Sequence, residues 1–205
     1  MQVTLDIAPD ELAKLVTPAL SEPRIPLQGV TWEQYEAMIA AVGNRPRLRL
    51  TYLEGLLEIM TISAEHEMLK KMIARLIEIY ALEKDIDLFS CGSATYRNAA
   101  AGRGLEPDES YCVGIRNEFP DLAIEVVLTS GGLDKLEVYK GLGVSEVWFW
   151  QEGKLNVQKL QADSYTPVLR SALLPDLDLA LLAEYVRPED EPQSVKAFRA
   201  VIRDS

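Results

Sequence analysis

The sequence predicts an α/β fold in which a central mixed sheet is flanked by helices in the order helix, strands, helix, strand. Three observations carry this. Residues 120–128 form an apolar run suited to a buried strand, then a short glycine turn, a helix over about 133–141 and a further strand over 144–151. Residues 47–62, RLRLTYLEGLLEIMTI, alternate around Glu54-Gly55 and read as a β-hairpin. Between these lies a helical stripe of His66, Leu69, Ile73, Leu76, Ile77 and Tyr80.

The elements follow in order. Pro9, Pro18, Pro23 and Pro26 make residues 1–30 an irregular N-terminal wrap with at most one short helix and no expected chemistry. Thr31 and Gln34 form a capping box, and Gly43 closes a helix over about 32–42. In the hairpin, Leu48, Leu50 and Tyr52 take one face and Arg47, Arg49 and Thr51 the other, a solvated face or a phosphate-steering one. Ser63 caps a helix running to about Lys84, with Glu65 and Glu67 in its first turn.

Residues 86–90 and 94–98 read as short strands and 99–104 as a mobile loop. Strands follow at 110–114 and 120–128, and the next helix closes on Gly143. Strands at 154–159 and 164–169 extend the sheet edge. Beyond the acidic joint 188–192, Val195, Phe198, Val201 and Ile202 share one face of a helix over 194–203. That helix docks on its own domain or on a second copy.

With 205 residues, the expectation is one domain spanning 1–205, its core at about 44–170. Apolar residues make up 48% and charged residues 26%, a globular balance. The net charge of −11 excludes a histone-like binder, while a local basic groove or divalent cations still allow a nucleic-acid substrate. His66 is the single histidine, which excludes HExxH zinc hydrolases and two-histidine iron centres. A serine triad built on His66 would lack a GxSxG segment. Cys91 and Cys112 form no CxxC, and the chain opens on Met-Gln-Val-Thr without a basic-then-apolar leader, so a cytoplasmic location is expected. No apolar run nears the roughly 18 residues of a membrane span.

Candidate chemistry concentrates on acidic residues beside strands. Asp108 lies in EPDESY, and Asp121 and Glu125 in PDLAIEVV. A carboxylate inside an aliphatic strand meets a cation or sits at the strand's water-reaching end. Asp121 and Glu125 stand about 13 Å apart along one strand, too far for one ion. Asp108, on a neighbouring strand, is the better partner for a hard cation, and Asp121 reads as structural. Lys135, in the first turn of the next helix, can reach the Glu125 site, and Lys140 is the weaker candidate. Trp148 and Trp150 share a face, suited to packing or to base stacking.

The segments TWEQYEAMI, LEG, SAEHE, EPD, PDLAIEVV and DKLEVYKGLGVSEVWFW occur in one order over about residues 27–159. In that order and spacing the chain resembles the Uma-type putative restriction-endonuclease family of the PD-(D/E)XK nuclease superfamily. The resemblance implies a restriction-endonuclease-like core acting on DNA. Asp108 then matches the motif aspartate and Glu125 the second acidic residue, both binding Mg2+ or Mn2+, with the Val126 carbonyl as a further oxygen. Val127 stands where the superfamily's lysine normally does, and Lys135, in the DK-x-x-x-Y match, takes its place as a catalytic residue. His66 and Glu65 match a position that supplies an extra metal ligand, against a hydrogen-bonded core histidine and a first-turn acid favoured by the helix dipole.

Arg47, Arg49, Arg97 and Arg103 are candidates for DNA backbone contacts, and the product would carry a 5′-phosphate. A homodimer is expected, since double-strand cutters need two sites. The alternative is a non-catalytic binding or assembly protein retaining the nuclease fold. It is motivated by the charge, the missing strand lysine and the absence of a separate DNA-reading module. Carboxylates open to water beside a positive groove would mark the nuclease, and occluded or arginine-paired ones the assembly protein.

Overall fold

The computed structural model describes residues 22–43, 45, 47–129 and 131–204. In chain order its elements are β1 (Arg24–Gln28), α1 (Trp32–Val42), β2 (Leu48–Leu53), β3 (Leu56–Thr61), α2 (Ala64–Glu83) and β4 (Leu88–Ser90). Next come β5 (Tyr96–Asn98), β6 (Arg103–Leu105), β7 (Glu109–Val113), β8 (Leu122–Val127) and α3 (Lys135–Leu142). The chain ends with β9 (Glu146–Gln151), β10 (Lys154–Gln161), β11 (Ser164–Val168), α4 (Leu179–Glu184), a 3-10 turn (Pro188–Asp190) and α5 (Glu191–Asp204). The described residues form two compact units, one within 22–63, 95–106 and 129–142 and the other within 64–94, 107–128 and 143–204.

The first unit is an antiparallel sheet of order β1-β3-β2-β6-β5 with α1 and α3. The capping box of α1 is present: Thr31 Oγ1 accepts the Gln34 N–H at 3.3 Å, and Gln34 Oε1 accepts the Thr31 N–H at 2.8 Å. Tyr35 and Met38 of α1 pack with Leu50, Tyr52, Leu57 and Ile59 of the hairpin, and the rings of Tyr35 and Tyr52 stack at 4.8 Å. The hairpin turns at Glu54-Gly55, both at positive φ, as a two-residue turn of this hand requires.

Three expectations need correction in this unit. Residues 24–28 form a strand, not an irregular wrap; β1 lies at the sheet edge, where Pro26 is tolerated opposite Glu58. Residues 1–21 of the expected wrap, with its short helix, fall outside the described residues. The 99–104 loop is shorter than expected, because Arg103 and Gly104 join β6 and pair with Leu53 and Tyr52. Nor is the arginine face of β2 solvated: Arg49 and Thr51 are both buried.

The second unit carries a six-stranded mixed sheet of order β11-β10-β9-β8-β7-β4, in which β8 and β9 run parallel and the other pairs antiparallel. Its core joins Met72, Ile73, Leu76, Ile77 and Tyr80 of α2 to Ile124 and Val126 of β8 and to Trp148 and Trp150 of β9. Both tryptophans are buried, so packing accounts for them. The amphipathic C-terminal helix docks within its own unit: Phe198 and Ile202 enter the same core, and Arg199 Nε donates to Glu83 Oε1 of α2 at 2.6 Å. Among the described residues, no helix is long and apolar enough to cross a membrane.

Candidate functional site

Sheet pairing brings the backbones of the two expected acids side by side. Glu109 pairs with Ile124 across β7 and β8, so the antiparallel ladder continued by one residue sets Asp108 beside Glu125. Asp108 Oδ2 accepts the Val126 N–H at 2.8 Å, which lays its side chain along β8. Leu122, Ile124 and Val126 face the α2 core, and strand alternation turns Ala123, Glu125 and Val127 to the opposite face. Glu125 is 0% exposed and Asp108 2%. The water-reaching strand end expected for Glu125 is therefore not what the fold provides. Glu125 is the fourth of the six residues of β8 and so lies inside the strand, not at its end.

His66, near the start of α2, points its Nε2 at Asp108 Oδ2 across 2.8 Å and is fully buried. Glu65, one residue earlier, is exposed. Lys135 opens α3 in the first unit and is half-buried, while Asp134 Oδ1 accepts the Leu136 N–H at 3.0 Å. Among the described residues, no three of His, Cys, Asp or Glu gather closely enough to hold a metal ion. The carboxylates of Asp108 and Glu125 remain a hard-oxygen pair, a donor set that suits Mg2+, which takes one or two carboxylates and fills its shell with water.

Of the four arginines, Arg47 and Arg97 are exposed, and Arg97 lies 3.5 Å from Glu36 Oε1. The other two are taken up by the packing of the first unit. Arg49 approaches Glu106 at 3.7 Å, and Arg103 donates to the carbonyls of Glu137 and Ala101 and pairs with Glu54 at 2.9 Å. Asp121 accepts the Val113 N–H at 2.9 Å, a structural role as expected.

Sequence reasoning passed over the buried acids Glu22, Glu58, Glu109 and Glu146. Glu146 accepts from Trp148 Nε1 at 3.0 Å, Ser171 Oγ at 2.7 Å and Ala172 N–H at 2.6 Å. Glu58 accepts the Leu133 N–H at 3.0 Å. Burial pushes the Glu109 carboxyl above its usual range, against the Ser110 N–H and the charges of Lys71 and Lys70. Glu58 interrupts an apolar strand as Glu125 does, and Glu146 opens one, so a similar signal marked them. A cleft of about 1030 Å³ in the second unit, lined by β10, β11 and α4, holds none of the expected site residues.

Comparison with known proteins adds the family. A crystal structure of a putative nuclease belonging to DUF820 from Anabaena variabilis ATCC 29413 is 12% identical, with 73% of this chain and 90% of that one covered at a TM-score of 0.42. No curated protein matches. The family model described as "Putative restriction endonuclease", Uma2, matches residues 32–188, well over half of the sequence. The chain belongs to the Uma2 family.

Proposed function

We propose that the chain is a metal-dependent endonuclease that hydrolyses DNA phosphodiester bonds, with Asp108 and Glu125 holding Mg2+ or Mn2+. The observation that carries this reading is the pair of buried acids on adjoining positions of one sheet, in a chain of the family described as "Putative restriction endonuclease". Two acids on adjoining positions can supply oxygen donors to one hard divalent cation. Such a cation, when bound, neutralises the scissile phosphate and acidifies a water molecule.

The protein's own groups supply the rest. The contacts from His66 Nε2 and the Val126 N–H fix the Asp108 carboxylate. In this reading His66 orients the metal-binding aspartate, and Glu65, exposed one residue earlier, is left out of the ligand set. Lys135 is the catalytic lysine in place of Val127; it orients the attacking water and stabilises the charge that develops on the phosphate. The product carries a 5′-phosphate, and a homodimer would cut both strands.

The test is cleavage of plasmid and single-stranded DNA with Mg2+ or Mn2+, comparing wild type with Asp108→Ala, Glu125→Ala and Lys135→Ala. Cleavage by wild type alone supports the reading. A second reading, a non-catalytic binding or assembly protein, is favoured by the same burial of Asp108 and Glu125, which leaves little carboxylate surface to water. Absence of cleavage, together with no calorimetric metal binding that Asp108→Ala removes, would establish that reading instead.

A further inference from the structure

We propose that Arg24 and Glu58 are positioning residues that hold Lys135 in place through the loop preceding it; this rests on the catalytic role given to Lys135 above. The residues involved all belong to the first unit. Arg24, on edge strand β1, donates from Nη2 to the Thr129 carbonyl at 3.2 Å and from Nη1 to the Gly131 carbonyl. One planar guanidinium thus takes two carbonyls two residues apart, a geometry that a lysine ammonium cannot reproduce.

Glu58 acts from the neighbouring strand, opposite Pro26 in the ladder. Its side chain is 3% exposed, and its Oε2 accepts the Leu133 N–H, two residues before Lys135. The loop is therefore held at three backbone points, the last of them just before α3 begins. An acid inside the apolar strand LLEIMT needs a reason, and the loop amide whose N–H it accepts supplies one.

The glycines of the loop fit this arrangement. Gly131 and Gly132 have φ of 96° and 106°, a region that side chains with a Cβ rarely adopt. A Cβ on Gly132 would collide with Arg24 Nη1 and stand 2.6 Å from Glu58 Oε2. A glycine segment allows the two side chains to close on it, yet has little rigidity of its own, so the orientation of Lys135 depends on what grips the loop.

The experiment combines steady-state cleavage of plasmid DNA in Mg2+ with hydrogen exchange at the amides of residues 131–136. It compares wild type with Arg24→Lys, Glu58→Ala, Glu58→Gln and Lys135→Ala, and a thermal melt checks that each variant is folded. Glu58→Ala is expected to speed exchange at Leu133 and the amides after it, and to lower kcat by about 100-fold with KM little changed. Glu58→Gln keeps an acceptor oxygen and should recover most of both readouts; Arg24→Lys should resemble Glu58→Ala.

Unchanged exchange in Arg24→Lys and Glu58→Ala overturns the proposal, as does faster exchange with wild-type kcat where Lys135→Ala is inactive. Equal losses in Glu58→Ala and Glu58→Gln also overturn it, since the acceptor would then not matter. If wild type cleaves nothing, or Lys135→Ala cleaves like wild type, the failure lies in the catalytic reading. Exchange then decides alone whether Arg24 and Glu58 hold the start of α3.

Discussion

His66 Nε2 lies 2.8 Å from Asp108 Oδ2, and the two side chains are 0% and 2% exposed. A buried carboxylate is tolerated only while polar groups surround it: the Val126 N–H donates to Asp108 Oδ2, and the imidazole packs against the same oxygen. Truncation to His66→Ala takes away that contact and leaves a void in the core beside a charge. The expected loss is about 2–4 kcal/mol, read from the urea unfolding midpoint. His66→Gln restores an amide donor and part of the loss; a midpoint unchanged in His66→Ala would mean the contact contributes no stability.

Glu146 shows the same rule in a place remote from the proposed chemistry. Oε2 takes Trp148 Nε1–H and the Ser171 hydroxyl, and Oε1 takes the Ala172 N–H, so both oxygens must be acceptors. Glu146→Gln turns one of them into a donor that faces a donor. We expect Glu146→Gln to lose about 1–3 kcal/mol despite its near-identical shape, and Glu146→Ala more. Denaturant unfolding measures both, and a stable Glu146→Gln would contradict the hydrogen-bond assignment.

How much could be read from the sequence depended on whether the signal was local. Thr31, Gln34 and Gly43 mark both ends of α1 within the helix itself, and its observed limits agree with the expected ones. β1 could not be read this way: Pro23 and Pro26 look like breakers, and only pairing with β3, some thirty residues on, makes a strand of 24–28. The six-residue helix α4 is too short for its apolar residues to show a period. Asp108 and Glu125 stood out as acids bordering or interrupting apolar strands. Glu58 and Glu146 carried the same mark, but their partners, Leu133, Ser171 and Ala172, are far away in sequence and only the fold joins them.

Gly104 is required by a ring. In β6, a Cβ at this position would run into the Tyr35 hydroxyl and come within 2.7 Å of Tyr35 Cε1. Tyr35 cannot retreat easily, since it is fully buried and stacks on Tyr52 with Trp32 at 5.3 Å on another side. Gly104→Ala is therefore expected to cost about 1–3 kcal/mol, seen as a lower thermal midpoint. The double variant Gly104→Ala with Tyr35→Leu, which removes the colliding ring atoms, should show the two losses to be non-additive. Additive losses would place the strain elsewhere.

Cys91 and Cys112 are thiols whose Sγ atoms stand 3.7 Å apart, Cys91 just after β4 and Cys112 within β7. The ladder sets Phe89 opposite Cys112 and Cys91 opposite Ser110, so the two sulfurs meet diagonally across paired strands. A disulfide needs the sulfurs to close to about 2.05 Å, a small displacement at the end of a three-residue edge strand. Cys91 is half-buried and the more accessible of the two, which suits it to react first with hydrogen peroxide, releasing water and forming a sulfenic acid. The Cys112 thiol then displaces the second water, so that one peroxide is reduced as two thiols become one disulfide. Intact-mass measurement after mild peroxide treatment should show the loss of two hydrogens, reversed by dithiothreitol and absent in Cys91→Ser and Cys112→Ser. The thermal midpoint of the oxidised protein should rise, because the link constrains the unfolded chain between the two positions. Added oxygen atoms on Cys91, with no loss of hydrogens, would show that the strands hold the sulfurs too rigidly to join.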